Sequence, residues 1–284
     1  VAREIIAGRA RAAVIIPPTY ARDLKRGRGA EAQVLVDASD PLASSGAIAG
    51  AQQAGMARAQ ELLPAAVTRA APVRVVVRPL FNPTLKSSVY IVPGIIGVLL
   101  SVTLIIIMSI AVVREREKGT LEQLIVTPIN RTSLMLGKVV PFILVGYVQV
   151  TVILLLGLLV FDVPLRGSLP LLYAAALPFI FASLAIGLLV STLVATQAQA
   201  MQLGFLFLLP NILLSGFMFP FEAMPRAAQL LGQALPLTHF LRIVRGIALK
   251  DATFADLASE VLSLVIILGV LTGLTSLKFH KRLD

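Results

Sequence analysis

Five long stretches without a single charged residue constrain this chain more than any other feature. Val89–Val113 runs 25 residues, Val139–Phe161 23, Pro170–Val194 25, Met201–Phe221 21 and Val261–Leu277 17. A helix crosses a hydrocarbon core with about 20 residues, in a working range of roughly 17–25. One such stretch could be a buried helix of a water-soluble domain. Five within the 196 residues after Ser88 would need a larger core than that length can wrap, so the stretches read as membrane helices. Pro93, Gly94, Pro178, Gly187, Pro210 and Gly216 lie inside them. Membrane helices tolerate such residues because neighbours satisfy the freed backbone groups.

Composition agrees: 57% of residues are hydrophobic and 14% charged, where soluble domains average about a quarter charged. The net charge of +10 is no nucleic-acid footprint, because the basic residues sit in loops beside apolar runs and not on one solvated face. Residues 1–88 hold twelve basic and six acidic residues. Arg114, Arg116, Lys118, Arg131 and Lys138 cluster between the first two stretches, and Lys278, Lys281 and Arg282 follow the last. Short basic loops stay in the cytoplasm. The 114–138 loop and the C-terminus are therefore expected inside, with residues 1–88 outside. Arg226, Arg242, Arg245 and Lys250 fall on the outer side and run against the rule. The first residue is Val1 and "VAREIIAGR" has no apolar core, so an additional membrane helix is expected before it.

Residues 1–88 read as a small α/β domain. Ala12–Pro17, Ala32–Asp37 and Val73–Leu80 are β-branched runs bounded by turn residues, with helical candidates at Tyr20–Arg26 and around Pro41–Ala70.

Little in the sequence can do covalent chemistry. There is no cysteine, and His239 and His280 are too far apart in sequence to build a metal centre. The uncharged stretches offer no relay of ionisable groups. Gly137-Lys138 is followed by Val139 and lacks the glycine of a phosphate-cradling loop, so any ATP must be bound by another chain. The 114–138 loop is more informative. Thr120-x-x-Gln123 fits a capping box, Leu121, Leu124 and Ile125 share one helical face, and Pro128 ends the helix. A short amphipathic helix on lipid headgroups is the plainer reading. Glu115, Glu117 and Glu122 favour a protein partner instead, because anionic lipid repels them.

The same loop, "VREREKGTLEQLIVTP" followed by "LMLGK", resembles the first cytoplasmic loop of type-2 ATP-binding-cassette exporter permeases. The resemblance is to the bacterial subgroup with a large outer domain between its first two membrane helices. Met224-Pro225, Pro236-Leu237-Thr238-His239 and Arg245 follow that family's pattern, as do "YIVPG" (Tyr90–Gly94), "QAMQL" (Gln199–Leu203) and "LLSGFMFP" (Leu213–Pro220). "VIIPP" and "VLVDASDP" fit in outline.

What the resemblance implies is a mainly α-helical, polytopic membrane protein. It has helices about 89–113, 139–161, 170–194, 201–221 and 260–277, with a sixth N-terminal helix missing. Residues 1–88 form the extracytoplasmic α/β domain and 89–284 the permease domain. The permease dimerises with a second copy or a paralogue and sits on separate ATPase subunits, which bind the ATP and Mg. This chain itself binds no cofactor and no metal. The 114–138 loop carries the coupling helix, starting near Thr120, with Glu115, Glu117, Glu122 and Gln123 as its polar contacts. Residues 219–256 form an outer re-entrant segment holding Pro236, His239 and Arg245. Gln149, Asn211 and Ser215, at membrane depth, either join helices or line the substrate path. The implied cargo is hydrophobic or amphipathic, drug-like or lipid-like. Two other classes compete: a non-transporting anchor that displays the outer domain, and a lipid-modifying enzyme built on His239 with Arg242, Arg245 and Glu222.

Overall fold

The computed structural model describes residues 2–26, 29–62, 73–119 and 131–280. They form two compact units, Val1–Tyr90 and Ile91–Asp284.

In the first unit, α1 (Ala2–Ile6), β1 (Ala12–Ile15), α2 (Tyr20–Lys25), β2 (Ala30–Asp37), α3 (Pro41–Leu62) and β3 (Val73–Leu80) follow in order. The sheet order is β1-β2-β3. β1 pairs antiparallel with β2, Val14 opposite Val34, while β3 runs parallel to β2, Val34 opposite Val77. A parallel pair needs a crossover of a dozen or more residues, and α3 provides it. "VLVDASDP" makes the junction. Asp37 ends β2 and its carboxylate accepts from Ser39 N at 3.1 Å and Ser39 Oγ at 2.6 Å. Asp40 then caps α3, accepting from Leu42 N at 3.0 Å and Ala43 N at 3.2 Å, with Pro41 at the first helical position. The sequence reading missed α1, which at five residues is too short to show a period.

Gly46 and Gly50 lie on the exposed side of α3, where a Cβ added to either would meet no atom within 4 Å. Glycine inside a helix costs about 0.5–1 kcal/mol relative to alanine. Gly46→Ala with Gly50→Ala is therefore expected to stabilise the protein by about 1–2 kcal/mol in equilibrium unfolding of the whole chain. Gly55→Ala is expected to do the opposite, because a Cβ there meets Val75 Cγ2 at 2.4 Å.

The second unit contains α4 (Ser87–Glu117, which begins at the boundary), α5 (Arg131–Leu159), α6 (Leu169–Ser191), α7 (Gln197–Leu214), α8 (Arg226–Gln233), α9 (Pro236–Lys250) and α10 (Phe254–His280). Five of these helices are long and apolar enough to span a bilayer: α4, α5 from Gly137, α6, α7, and α10 to Ser276. Each of the five uncharged stretches thus has most of its length in one of these helices.

The helix ends depart from the ends of the uncharged runs, for local reasons. α4 continues past Val113 to Glu117, since Arg and Glu are good helix formers, and Gly119 in a left-handed conformation (φ +68°) follows it. α7 starts at Gln197 under a capping box of Thr196 and Gln199, and stops before Gly216 (φ +82°) rather than at Phe221. α10 starts at Phe254, seven residues before its uncharged run: the Asp256 carboxylate reaches back to Thr253 N at 3.0 Å and Thr253 Oγ1 at 2.7 Å. That early start brings Glu260 inside the last spanning helix.

α6 is the central helix. In its most apolar window 67% of residues are buried, against 17% for α7 and 11% for α10. Lipid gives no hydrophobic drive for helices to associate, so close approach of small residues matters most. α6 supplies buried Ala175, Ala176, Ala182, Ala185 and Gly187. Against it pack α5, α7, α9 and α10.

Candidate functional site

Two clusters of polar side chains stand out in the second unit, one at each end of the spans. The first is at the end where α4 stops, α5 begins, α6 stops and α7 begins. Glu115 pairs with Lys138 Nζ of α5. Arg116 donates from Nη2 to Ser191 O and from Nη1 to Val194 O, both at 3.0 Å. The Glu117 carboxylate accepts from Gln197 N at 3.0 Å and from the Gln197 side-chain amide. Three consecutive residues of α4 therefore reach three different elements. Of the coupling residues expected from sequence, Glu115 and Glu117 take part in these contacts, and Thr120, Glu122 and Gln123 lie outside the described residues.

At the other end, the chain between α7 and α10 folds into α8 and α9. At 15 residues α9 is about 22 Å long, too short to span. Its start is set by Pro236 at the first helical position. Most of the helix is buried: Leu237, Phe240, Leu241, Ile243, Val244 and Ile247 are at most 1% exposed. Phe240 stacks on Phe179 of α6 with ring centres 4.1 Å apart.

His239 Nδ1 lies 2.6 Å from Glu260 Oε2, and Nε2 lies 2.9 Å from the Gln233 carbonyl. Both ring nitrogens are occupied by oxygen partners, which ties α9 to α10 and to the end of α8. Arg242 donates to Glu260 Oε1 at 3.1 Å and lies over the Phe221 ring, Cζ 4.7 Å from its centre. Arg245 donates to Gly216 O at 3.0 Å, tying α9 to the turn after α7. Glu260 is thus a partner of His239 and Arg242 that was not named from the sequence. The sequence marks Glu260 only as the charge just before an uncharged run; that it meets α9 is seen in the structure alone.

The three polar residues at membrane depth differ. Gln149 donates to Thr103 Oγ1 at 3.0 Å and joins α5 to α4. Ser215 bonds within its own turn, to Ile212 O at 3.3 Å. Asn211 is 1% exposed, and neither of its amide atoms has a hydrogen-bond partner among the described residues.

A half-open apolar cavity of about 250 Å³ lies among α4, α5, α6 and the 162–169 loop, lined by Val92, Ile96, Leu154, Leu158 and Tyr173. The hydroxyls of Tyr173 and Thr151 at its wall bond each other at 2.7 Å. Drug-sized ligands occupy pockets of roughly 300–1,000 Å³, so this cavity is smaller than such a pocket.

Comparison with known proteins bears on what these spans do. The family model described as "ABC-2 family transporter protein" matches residues 2–277. "Probable multidrug ABC transporter permease YbhR" of Escherichia coli (strain K12) is 33% identical over 269 residues, covering 95% of this chain and 73% of the relative. "Probable multidrug ABC transporter permease YbhS" of the same strain is 33% identical over 284 residues, covering 98% and 74%. "Inner membrane transport permease YhhJ", also of that strain, is 31% identical over 287 residues, covering 98% and 75%.

Proposed function

This chain belongs to the ABC-2 transporter family, and we propose that it carries a hydrophobic or amphipathic cargo, drug-like or lipid-like, out of the cytoplasm. It is a multi-pass membrane permease subunit of an ABC exporter, a transport subunit rather than an enzyme, with ATP hydrolysed on a separate subunit. The observation that carries the finer reading is the family match along nearly the whole chain, joined to its multidrug-permease relatives. The lining of the cavity at α4, α5 and α6 is consistent with apolar cargo.

The permease works as a dimer in a bacterial inner membrane, with the C-terminus and the α4–α5 loop in the cytoplasm and residues 1–88 outside, as the basic residues of that loop favour. The ATPase subunit, with its ATP and Mg, docks on that loop, where Thr120, Glu122 and Gln123 meet it. Pro236, His239 and Arg245 hold the outer segment closed over the pathway between transport events. Gln149 supports the α4–α5 contact, while Asn211 and Ser215 stand beside the path.

The reading is tested by reversing charge at Glu122. In a reconstituted complex with its ATPase subunit, Glu122→Lys is expected to lower the transport-linked ATPase rate about tenfold or more, with membrane insertion unchanged. A wild-type rate in that variant would count heavily against docking at this loop. Co-purification without any ATPase subunit would favour the anchor reading.

A further inference from the structure

We propose that Arg116 and Glu117 are positioning residues for transport: they lock the end of α4 onto the α6–α7 turn, so that α7 follows every movement of α4. This rests on the reading that force from ATP hydrolysis enters through the loop after α4.

The charge order of the two residues carries the inference. The turn between α6 and α7 is short, residues 192–196, and sets a helix C-terminus beside a helix N-terminus. A C-terminus holds unsatisfied carbonyls and partial negative charge; an N-terminus holds unsatisfied N–H groups and partial positive charge. Arg116 meets the first, donating to Ser191 O and Val194 O, and Glu117 meets the second, accepting from Gln197 N. The α7 terminus also satisfies itself, through Thr196 and Gln199. Glu117 therefore adds an attachment to α4 at a helix end that is already capped.

Beneath the two residues is an apolar seat. Val113 of α4, Val194 of the turn and Ala200 of α7 form one buried cluster, with Ile110 and Leu203 packed against it. Polar contacts on top and packed side chains below join three elements into one body. Glu117 is the last residue of α4, so displacement of the following loop reaches this body directly.

These 284 residues contain no cysteine, so thiol labels can be placed at chosen positions once any cysteine elsewhere in the complex is replaced. In the full-length permease complexed with its ATPase subunit, spin labels at exposed Lys118, Gln202 and Leu262 report the α4 end, α7 and α10. In the wild type, trapping the ATPase with ATP and vanadate is expected to change the 118–262 and 202–262 distances together, with 118–202 constant. In Arg116→Ala the 202–262 change is expected to fall at least about threefold while the 118–262 change persists. Arg116→Lys restores part of it. Exchanging the charges, Arg116→Glu with Glu117→Arg, restores none, because the helix ends keep their polarity. A merely structural role would lower thermal stability without separating the two labels.

A short thiol-to-thiol cross-link between Arg116→Cys and Val194→Cys is expected to preserve the coordinated movement. If label 202 still moves normally in Arg116→Ala, or if the cross-link abolishes the movement, the joint is wrong. If no label moves in the wild type while the ATPase is trapped, the exporter reading fails first and the joint falls with it.

Discussion

Glu260→Ala is expected to destabilise the folded permease by about 2–3 kcal/mol, read as a lower unfolding midpoint in detergent. Its carboxylate is shared by the His239 imidazole at 2.6 Å and the Arg242 guanidinium at 3.1 Å. Removing one partner of a fully buried pair costs about 3–5 kcal/mol, and an exposed pair contributes about 0–1. The Glu260 side chain is 22% exposed and that of His239 8%, which places the loss between those limits and nearer the upper one. The damage falls on the α9–α10 contact. Glu260→Gln keeps an acceptor for one of the two donors, so its loss should be roughly half as large. An unchanged midpoint in the alanine variant would show that α9 is held by its apolar face alone.

Gly187→Leu is expected to cost about 3 kcal/mol or more, or to prevent accumulation of folded protein. A Cβ on this residue would lie 2.8 Å from Ile105 O and 2.8 Å from Met108 Cβ, both on α4. Overpacking a core costs typically 1–3 kcal/mol when neighbouring side chains can rotate away. A backbone oxygen inside a helix cannot, so α4 and α6 have to move apart at this close approach. Gly269→Leu is the comparison, since no atom lies within 4 Å of the Cβ position there. Folded yield by size-exclusion chromatography should separate the two variants. Equal yields would mean that the α4–α6 approach is less tight than these distances indicate.

The spans were legible because a bilayer imposes a length. Each uncharged run had to be a helix of about 20 residues, whatever packed against it. The strands of the first unit were legible too, since β-branched runs such as "VRVVVRPL" are bounded by turn residues. Helix ends were less so, because a charge ends an apolar run without ending a helix, as Arg114 to Glu117 demonstrate. The cues were present all the same: Thr196-x-x-Gln199 and Thr253-x-x-Asp256 have the form read at Thr120-x-x-Gln123, and each starts a helix. Partners were not legible at all. Arg116 meets a carbonyl 78 residues away and His239 a carboxylate 21 residues away. Local periodicity says which face a residue is on, and nothing about what comes to meet it.

The short buried helix α9 also sets a timetable for synthesis. His239 and Arg242 leave the ribosome 21 and 18 residues before Glu260. At about 5–20 residues per second, that interval is roughly one to four seconds. During it the nascent chain holds the Arg242 guanidinium without its carboxylate, which a lipid interior penalises. α9 is therefore expected to stay at the water interface until α10 enters and brings Glu260. The order of translation, not only the final contacts, decides when this end of the protein closes.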